Sequence, residues 1–303
     1  MRIFVIVLLI AAPIAAEGLR LNEIQVVATH NSYHVAKKNA PPQWDYTHAP
    51  LPEQLDRGVR GFELDVVYDA AGHFPVQHVP RIDPRSTCAR FTDCLEAIRG
   101  WSAAHPEHVP IIVHMEVKDD DVPGMIAVNR PELDVLEAEI RSVFGEDQLF
   151  TPDDMRGEFE TVNEAMKTRG WPLLDDVRGR VTFILHNRGR HRAEFLKGDA
   201  TIAGRAMFNF AEPGAPDAAF LIRDNPNAPG VAELAREGYI IRTRDGGPNN
   251  PERLHAALAS GAHLISTDYP AGNEDAETEY VVAFAGEYRC NPVTAPVDCG
   301  AEE

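Results

Sequence analysis

Beyond residue 16 the chain has no apolar run approaching the roughly 20 residues that a membrane-spanning helix needs, which excludes an integral helical membrane protein for the remainder. Cations are scarce: 29 Lys and Arg stand against 47 Asp and Glu, a formal charge of −18. That field repels nucleic acid and anionic membranes alike, so neither is expected as a partner held by overall charge. An anionic substrate would have to be met by a local cation or a metal. Cysteine is limited to four residues, Cys88, Cys94, Cys290 and Cys299, with no CxxC spacing, which argues against a zinc or redox motif. GxSxG, HExxH and GxxxxGK[ST] are all absent, removing three common enzyme classes.

What is present begins with Met1-Arg2 followed by IFVIVLLIAAPIAA, one positive charge before an apolar block that ends in small residues. This is the pattern of a secretory signal peptide over 1–16, with cleavage after Ala16 or Gly18. A secreted or periplasmic protein is expected, and in that oxidising setting the cysteines should form disulfides. Four cysteines allow three pairings; Cys88–Cys94 and Cys290–Cys299 are preferred because each closes a short local loop.

Eight strand-length apolar runs recur along the chain: IQVVATH, RGFELDVV, VPIIVHMEVK, GRVTFILHN, RAMFNFAE, AAFLIRD, GYIIRTRD and AHLISTDY. Amphipathic segments separate several of them, among them TDCLEAIRGWSAA, RPELDVLEAEIRSVFG, GVAELAREG and PERLHAALASG. Strands alternating with helices imply parallel βαβ units, and about eight of them suggest an α/β fold of the TIM-type (β/α)8 barrel class. Such barrels run to about 250 residues as one unit. A single domain over 17–287 is therefore expected, with a disulfide-tied tail over 288–303; the piece ETEYVVAFAGEY before the tail reads as helix-like.

Side chains alternate faces along a strand. In VPIIVHMEVK the face of Ile111, Val113, Met115 and Val117 is apolar, while His114, Glu116 and Lys118 share the other; in RGFELDVV, Glu63 and Asp65 oppose Phe62, Leu64 and Val66. Carboxylates on the inner face of a barrel strand cannot remain unpaired, since burying an ionised group uncompensated costs many kcal/mol. They need a cation. The first strand ends in His30 and Asn31, and the segment after the second brings His73 and His78 back toward the same rim. Barrel active sites lie at the carboxyl ends of strands, so Asn31, Glu63, Asp65 and Glu116 converge there as an oxygen-only donor set suited to calcium or magnesium. The competing reading pairs Glu63 and Asp65 with Arg57 or Arg60.

The stretches THNSYH (Thr29–His34), LPEQLDRGVRGFELDV (Leu51–Val66), His78 and HMEVK (His114–Lys118) together resemble the calcium-dependent phosphatidylinositol-specific phospholipase C family of barrel phosphodiesterases. The resemblance implies Ca2+ on Asn31, Glu63, Asp65 and Glu116, and catalytic histidines at His30 and His78. In the family's reaction the inositol 2-hydroxyl attacks its own phosphodiester, expelling diacylglycerol and leaving a cyclic phosphate. His78 would be the general acid and His30 a donor to a phosphoryl oxygen, with Glu116 or Glu63 taking the attacking proton. Lys118 and, more weakly, Arg244 and Arg242 would hold phosphate oxygens; Asp268 would orient His30, and these last three also fit scaffold ion pairs. A phospholipid at a membrane surface is the implied, transient partner. His34, His73 and His114 are expected to be structural, and Lys118-Asp-Asp-Asp121 a solvated turn. The later segments IIRTRDG and GAHLISTDYP resemble the closing strands of glycerophosphodiester phosphodiesterases, so cleavage of glycerophosphodiesters or sphingolipids is the alternative. A non-catalytic calcium-bound lipid-binding protein is the third reading.

Overall fold

The computed structural model describes residues 18–119, 123–297 and 299. The signal-like segment 1–16, Asp120, Asp121 and the end of the tail lie outside them. Within the described residues, all eight expected strands form and lie parallel in the order β5-β4-β3-β2-β1-β8-β7-β6. They are β1 (Ile24–Thr29), β2 (Val59–Val66), β3 (Ile111–Val117), β4 (Val181–Leu185), β5 (Met207–Asn209), β6 (Phe220–Ile222), β7 (Ile240–Arg244) and β8 (Leu264–Thr267). One bridge, Phe210 to Phe220, joins the two ends of the sheet, helped by the Ala211 amide donating to the Phe220 carbonyl at 3.2 Å. The result is a nearly closed barrel of TIM type.

Strands buried on both faces read as nearly continuous apolar runs, and every residue of β2 is buried here. Helices cover the outside. In α2 (Phe91–Ala104), Phe91, Cys94, Leu95, Ile98 and Trp101 fall at three- and four-residue spacing and all are buried. Each large apolar side chain so covered contributes about 1.5–3 kcal/mol. The first turn of α2 is fixed twice: Asp93 accepts from the Arg90 amide at 3.1 Å, and Cys94 is bonded to Cys88. The chain departs from a regular repeat in three places, the first being the stretch between β3 and β4, which holds three α-helices instead of one. The helix between β1 and β2 is one short turn, α1 (Leu51–Asp56), and no helix stands between β5 and β6.

Gly61 is required where β2 crosses β1, because a Cβ there would lie 2.5 Å from that of Ala28. That close approach sets the end of β1 beside Glu63: the Ser32 amide donates to the Glu63 carbonyl at 2.9 Å, and the Glu63 amide to Ser32 Oγ at 2.8 Å.

The segment before the tail is not helical, in contrast to its sequence pattern. Val282 bridges Pro270, and the chain then enters a two-residue strand, β9 (Arg289–Cys290), antiparallel to the start of β1. Tyr280 instead uses its hydroxyl to reach Asp245, 2.9 Å away, a side-chain anchor that favours the extended path. Cys290 pairs with Cys299 and Cys88 with Cys94, as the short-loop spacing predicts.

At the amino end of the barrel, His263 accepts from the Ile241 amide through Nδ1 at 3.1 Å, so its proton sits on Nε2, which donates to the Asn22 carbonyl at 2.9 Å. Burial holds this ring neutral down to about pH 4, well below a free imidazole, with the Asn22 carbonyl opposing only weakly. A depressed histidine pKa means that the unfolded chain binds the extra proton first, so stability is full above about 6.5 and falls as pH drops toward 4. The unfolding free energy of wild type relative to His263→Asn should therefore shrink by up to about 3 kcal/mol across that window, measured by denaturant titration at pH 7, 5.5 and 4.

Candidate active site

The polar ends of β1, β2 and β3 meet at the carboxyl mouth of the barrel. Oxygens of Glu63, Asp65 and Glu116 lie within 4.8 Å of one another. The strand register explains why: Asp65 pairs with Glu116 and Glu63 with His114 across β2 and β3. Asn31 follows β1 at φ 44°, a left-handed conformation that asparagine tolerates better than most residues. Its side-chain amide donates to the Tyr46 hydroxyl at 2.9 Å, so the amide oxygen is the end that would ligate.

Glu63 is the most tightly held of the carboxylates. Arg242 donates to its Oε2 at 2.7 Å, and His114 Nε2 lies 3.1 Å from the same oxygen. Burial alone would raise its pKa, but Arg242, with His30 and His114 adding to it, holds the carboxyl well below the usual range. Arg242 also pairs with Asp224 and touches Ser266. Arg57 and Arg60, the alternative partners weighed for this carboxylate, are engaged elsewhere, with Glu53 and Glu287 respectively.

Asp65 has the opposite environment. Among the described residues neither of its oxygens accepts a hydrogen bond, and burial pushes its pKa well above the carboxylate range despite the Lys118 ammonium 3.3 Å away. The same ammonium is 3.0 Å from Glu116, whose pKa burial also raises. A buried carboxylate without hydrogen bonds, beside two others and an ammonium, is a place made for positive charge. Two further groups, His34 with His78 and Asp83, and Glu63 with His114 and His186, also come within metal-binding distance. Only the Glu63, Asp65 and Glu116 group consists of oxygen donors alone, the chemistry calcium takes, and these residues fit that ion.

The histidines sit beside this cage. His30 Nδ1 is 2.7 Å from Asp268, which Arg244 engages at 3.0 Å through its other oxygen. Burial would raise the Asp268 pKa, but His30 foremost and then Arg244 bring it down to about 2. His78 Nδ1 is 3.0 Å from Asp83 Oδ2, and His34 Nε2 is 2.8 Å from the same atom. Burial lowers the His78 pKa against the pull of Asp83. Trp44 meets the His78 ring edge-on at 5.0 Å.

His34 is buried and structural in its contacts, bonded to Asp83 and the Tyr46 carbonyl, and His73 is exposed in a turn closed on Asp69. His114 lies deeper, on Glu63. Asp119 is not part of a solvated turn; it is buried, where it receives Arg190 at 2.6 Å, His191 at 2.7 Å and the Val128 amide. Several neighbours of the site escape sequence reasoning. Asp83 and Tyr46 sit in loops without periodicity, and His48, which bonds the His30 carbonyl at 2.9 Å, shares that loop. His186, whose pKa burial depresses strongly, ends β4 in the same way that His30 ends β1 and could have been found by that parallel.

Eight parallel strands with a carboxylate cage and ordered imidazoles at their carboxyl ends define a barrel enzyme built around a divalent cation. The family model described as phosphoinositide phospholipase C, Ca2+-dependent, matches residues 19–77 and 72–292, and the chain belongs to that family. It is a calcium-dependent phosphodiesterase of the phospholipase C type. The resemblance of the first third of the sequence therefore extends through the whole barrel. Among solved structures, the calcium-dependent phosphatidylinositol-specific phospholipase C of Streptomyces antibioticus superposes with a TM-score of 0.65 at 20% identity, covering 82% of this chain and 95% of that one. The calcium-dependent phosphoinositol-specific phospholipase C of a Pseudomonas species gives 0.63 at 17% identity over 91% and 96%. The phosphatidylinositol-specific phospholipase C of Listeria monocytogenes gives 0.52 at 18% over 85% and 92%. At these identities the superpositions speak for the fold. No curated protein sequence matches the chain significantly.

The cage makes a prediction about stability. Calcium should raise the thermal midpoint of the wild type, through a stabilisation that grows with concentration and reaches about 2.7 kcal/mol at a hundredfold excess over Kd. Asp65→Asn should abolish this rise, yet in chelator it should unfold no lower than wild type, because burial already disfavours the ionised carboxylate at this position. Calorimetry with and without calcium tests both halves.

Proposed function

We propose that the protein cleaves phosphatidylinositol at a membrane surface, releasing diacylglycerol and leaving inositol cyclic phosphate. The observation that carries this reading is the meeting of Glu63, Asp65 and Glu116 at the barrel mouth, in a chain of this family, beside two histidines each backed by a carboxylate. Asn31, Glu63, Asp65 and Glu116 would hold the calcium ion. Bound there, calcium supplies neutralisation of charge on the phosphate and acidifies the attacking hydroxyl.

The chain's own groups then have distinct tasks. The inositol 2-oxygen forms a bond to phosphorus, and the bond from phosphorus to the glyceryl oxygen breaks. Glu116 takes the hydroxyl proton; its side chain is 27% exposed and touched by Lys118, whereas Glu63, at 2%, is committed to Arg242 and His114. His78, with Nδ1 fixed on Asp83, gives its Nε2 proton to the departing alkoxide. His30, with Nδ1 fixed on Asp268, donates from Nε2 to a phosphoryl oxygen. Lys118 and Arg244 add positive charge for the phosphate oxygens. The signal-like 1–16 segment and two disulfides support a secreted or periplasmic location.

Incubation with phosphatidylinositol vesicles should release diacylglycerol with calcium and not with chelator, and phosphorus NMR should show a cyclic inositol phosphate as the first product. His78→Ala should lower kcat by about 10²–10⁴. Full turnover by that variant removes the general acid. A first product without inositol would shift the assignment to glycerophosphodiester or sphingolipid cleavage.

A further inference from the structure

The net charge of −18 predicts repulsion from an anionic bilayer, yet one face of the molecule runs against that field. Two loops at the carboxyl rim, residues 36–38 and 81–85, are tied together: Lys37 Nζ donates to the Ile82 carbonyl at 3.2 Å, and Arg85 to the Ala36 carbonyl at 2.8 Å. They bring Lys37, Lys38, Arg81 and Arg85 onto one surface. Among the described residues none of these cations meets a carboxylate; the side chains of Lys37 and Arg85 donate to those two neutral carbonyls. Next to Arg81 stands Ile82, 52% exposed, one of the few large apolar side chains left in solvent among the described residues.

The same loop turns its next residue inward. Asp83 is buried and receives both His78 and His34, so the segment presents an aliphatic side chain to solvent and a carboxylate to the proposed general acid in consecutive positions. Trp44, half-buried on the adjoining loop, packs against the His78 ring. An aliphatic tip ringed by cations with no acidic partners, next to the active-site mouth, has the chemistry of a surface that meets anionic phospholipid headgroups and lets one apolar group reach the acyl boundary.

We propose that the face formed by Lys37, Lys38, Arg81, Arg85 and Ile82 docks onto a bilayer bearing anionic phospholipid, and that this contact seats the barrel mouth at the interface. The inference rests on the phosphodiesterase reading for its purpose and not for its test. Binding is measured by sedimentation with phosphatidylcholine vesicles, with and without phosphatidylglycerol, in chelator so that no ion bridges protein and lipid. Wild type should bind the vesicles containing phosphatidylglycerol, and binding should weaken as salt rises. Lys37→Ala/Lys38→Ala and Arg81→Ala should each weaken it, the double variant by about tenfold or more, and Ile82→Ser should weaken it at high salt as well. All should retain wild-type unfolding midpoints and wild-type turnover of a water-soluble inositol phosphodiester with calcium present, while losing activity on phosphatidylinositol vesicles. Equal wild-type binding to both vesicle types, or variants that bind as wild type, would overturn the docking face. If the soluble phosphodiester is untouched while binding follows charge as described, the docking face stands and the catalytic reading fails. A variant with a lowered midpoint is replaced by Lys37→Gln/Lys38→Gln, which keeps side-chain length and removes only charge.

Discussion

Glu63 lies inside a β-barrel, on the inner face of a strand, and stays ionised there chiefly because Arg242 reaches it across the barrel interior from β7. Two charges taken out of water are costly, and their attraction offsets that cost only when the remaining polar atoms are also matched. His114 and Ser266 supply part of that matching, and Asp224 takes the second arm of the guanidinium. The rest of the site is arranged around this anchored carboxylate. With Glu63 fixed, Asp65 two residues on and Glu116 across the ladder are held at ion-binding distance. The outer two, whose ionised forms burial disfavours, face the Lys118 ammonium instead of a guanidinium.

Two rules of environment recur within a few ångströms. Glu63 and Asp65 stand on the same strand face, yet one is pulled down by a guanidinium and the other pushed up by burial. His30 and His78 each offer one nitrogen to an aspartate, which fixes the ring and directs the other nitrogen away from that carboxylate. The strands set positions, while neighbours from later in the chain set charge states: Arg242, Arg244 and Asp268 come from β7 and the end of β8.

Much of this was legible before any coordinates. The eight strands announce themselves because a parallel barrel buries both faces, and the interruption of that apolar pattern at Glu63, Asp65 and Glu116 marks where the interior turns chemical. The short cysteine spacings point to the disulfides for the same reason that local loops close easily. Other features depend on contacts between segments far apart in sequence. Nothing near Arg242 indicates that its partner is Glu63, 179 positions earlier. Asp83 reads as a loop residue and becomes the shared partner of two imidazoles only when 78–83 folds against His34. The helix-like pattern before the tail fails because Tyr280 is claimed by Asp245 and Val282 by Pro270, interactions that periodicity cannot register.

The join between β5 and β6 lies across the barrel from β1, since four strands separate them on one side and three on the other. It has one bridge and no covering helix, whereas β2 and β3, which carry Glu63, Asp65 and Glu116, are adjacent and paired without a break from Gly61 to Val66. Chemistry and architectural slack therefore occupy opposite arcs of the ring. Insertions or deletions on the slack arc reshape the outline of the barrel while the reacting half keeps its geometry, which gives such a scaffold room to diverge in sequence without surrendering its ion cage.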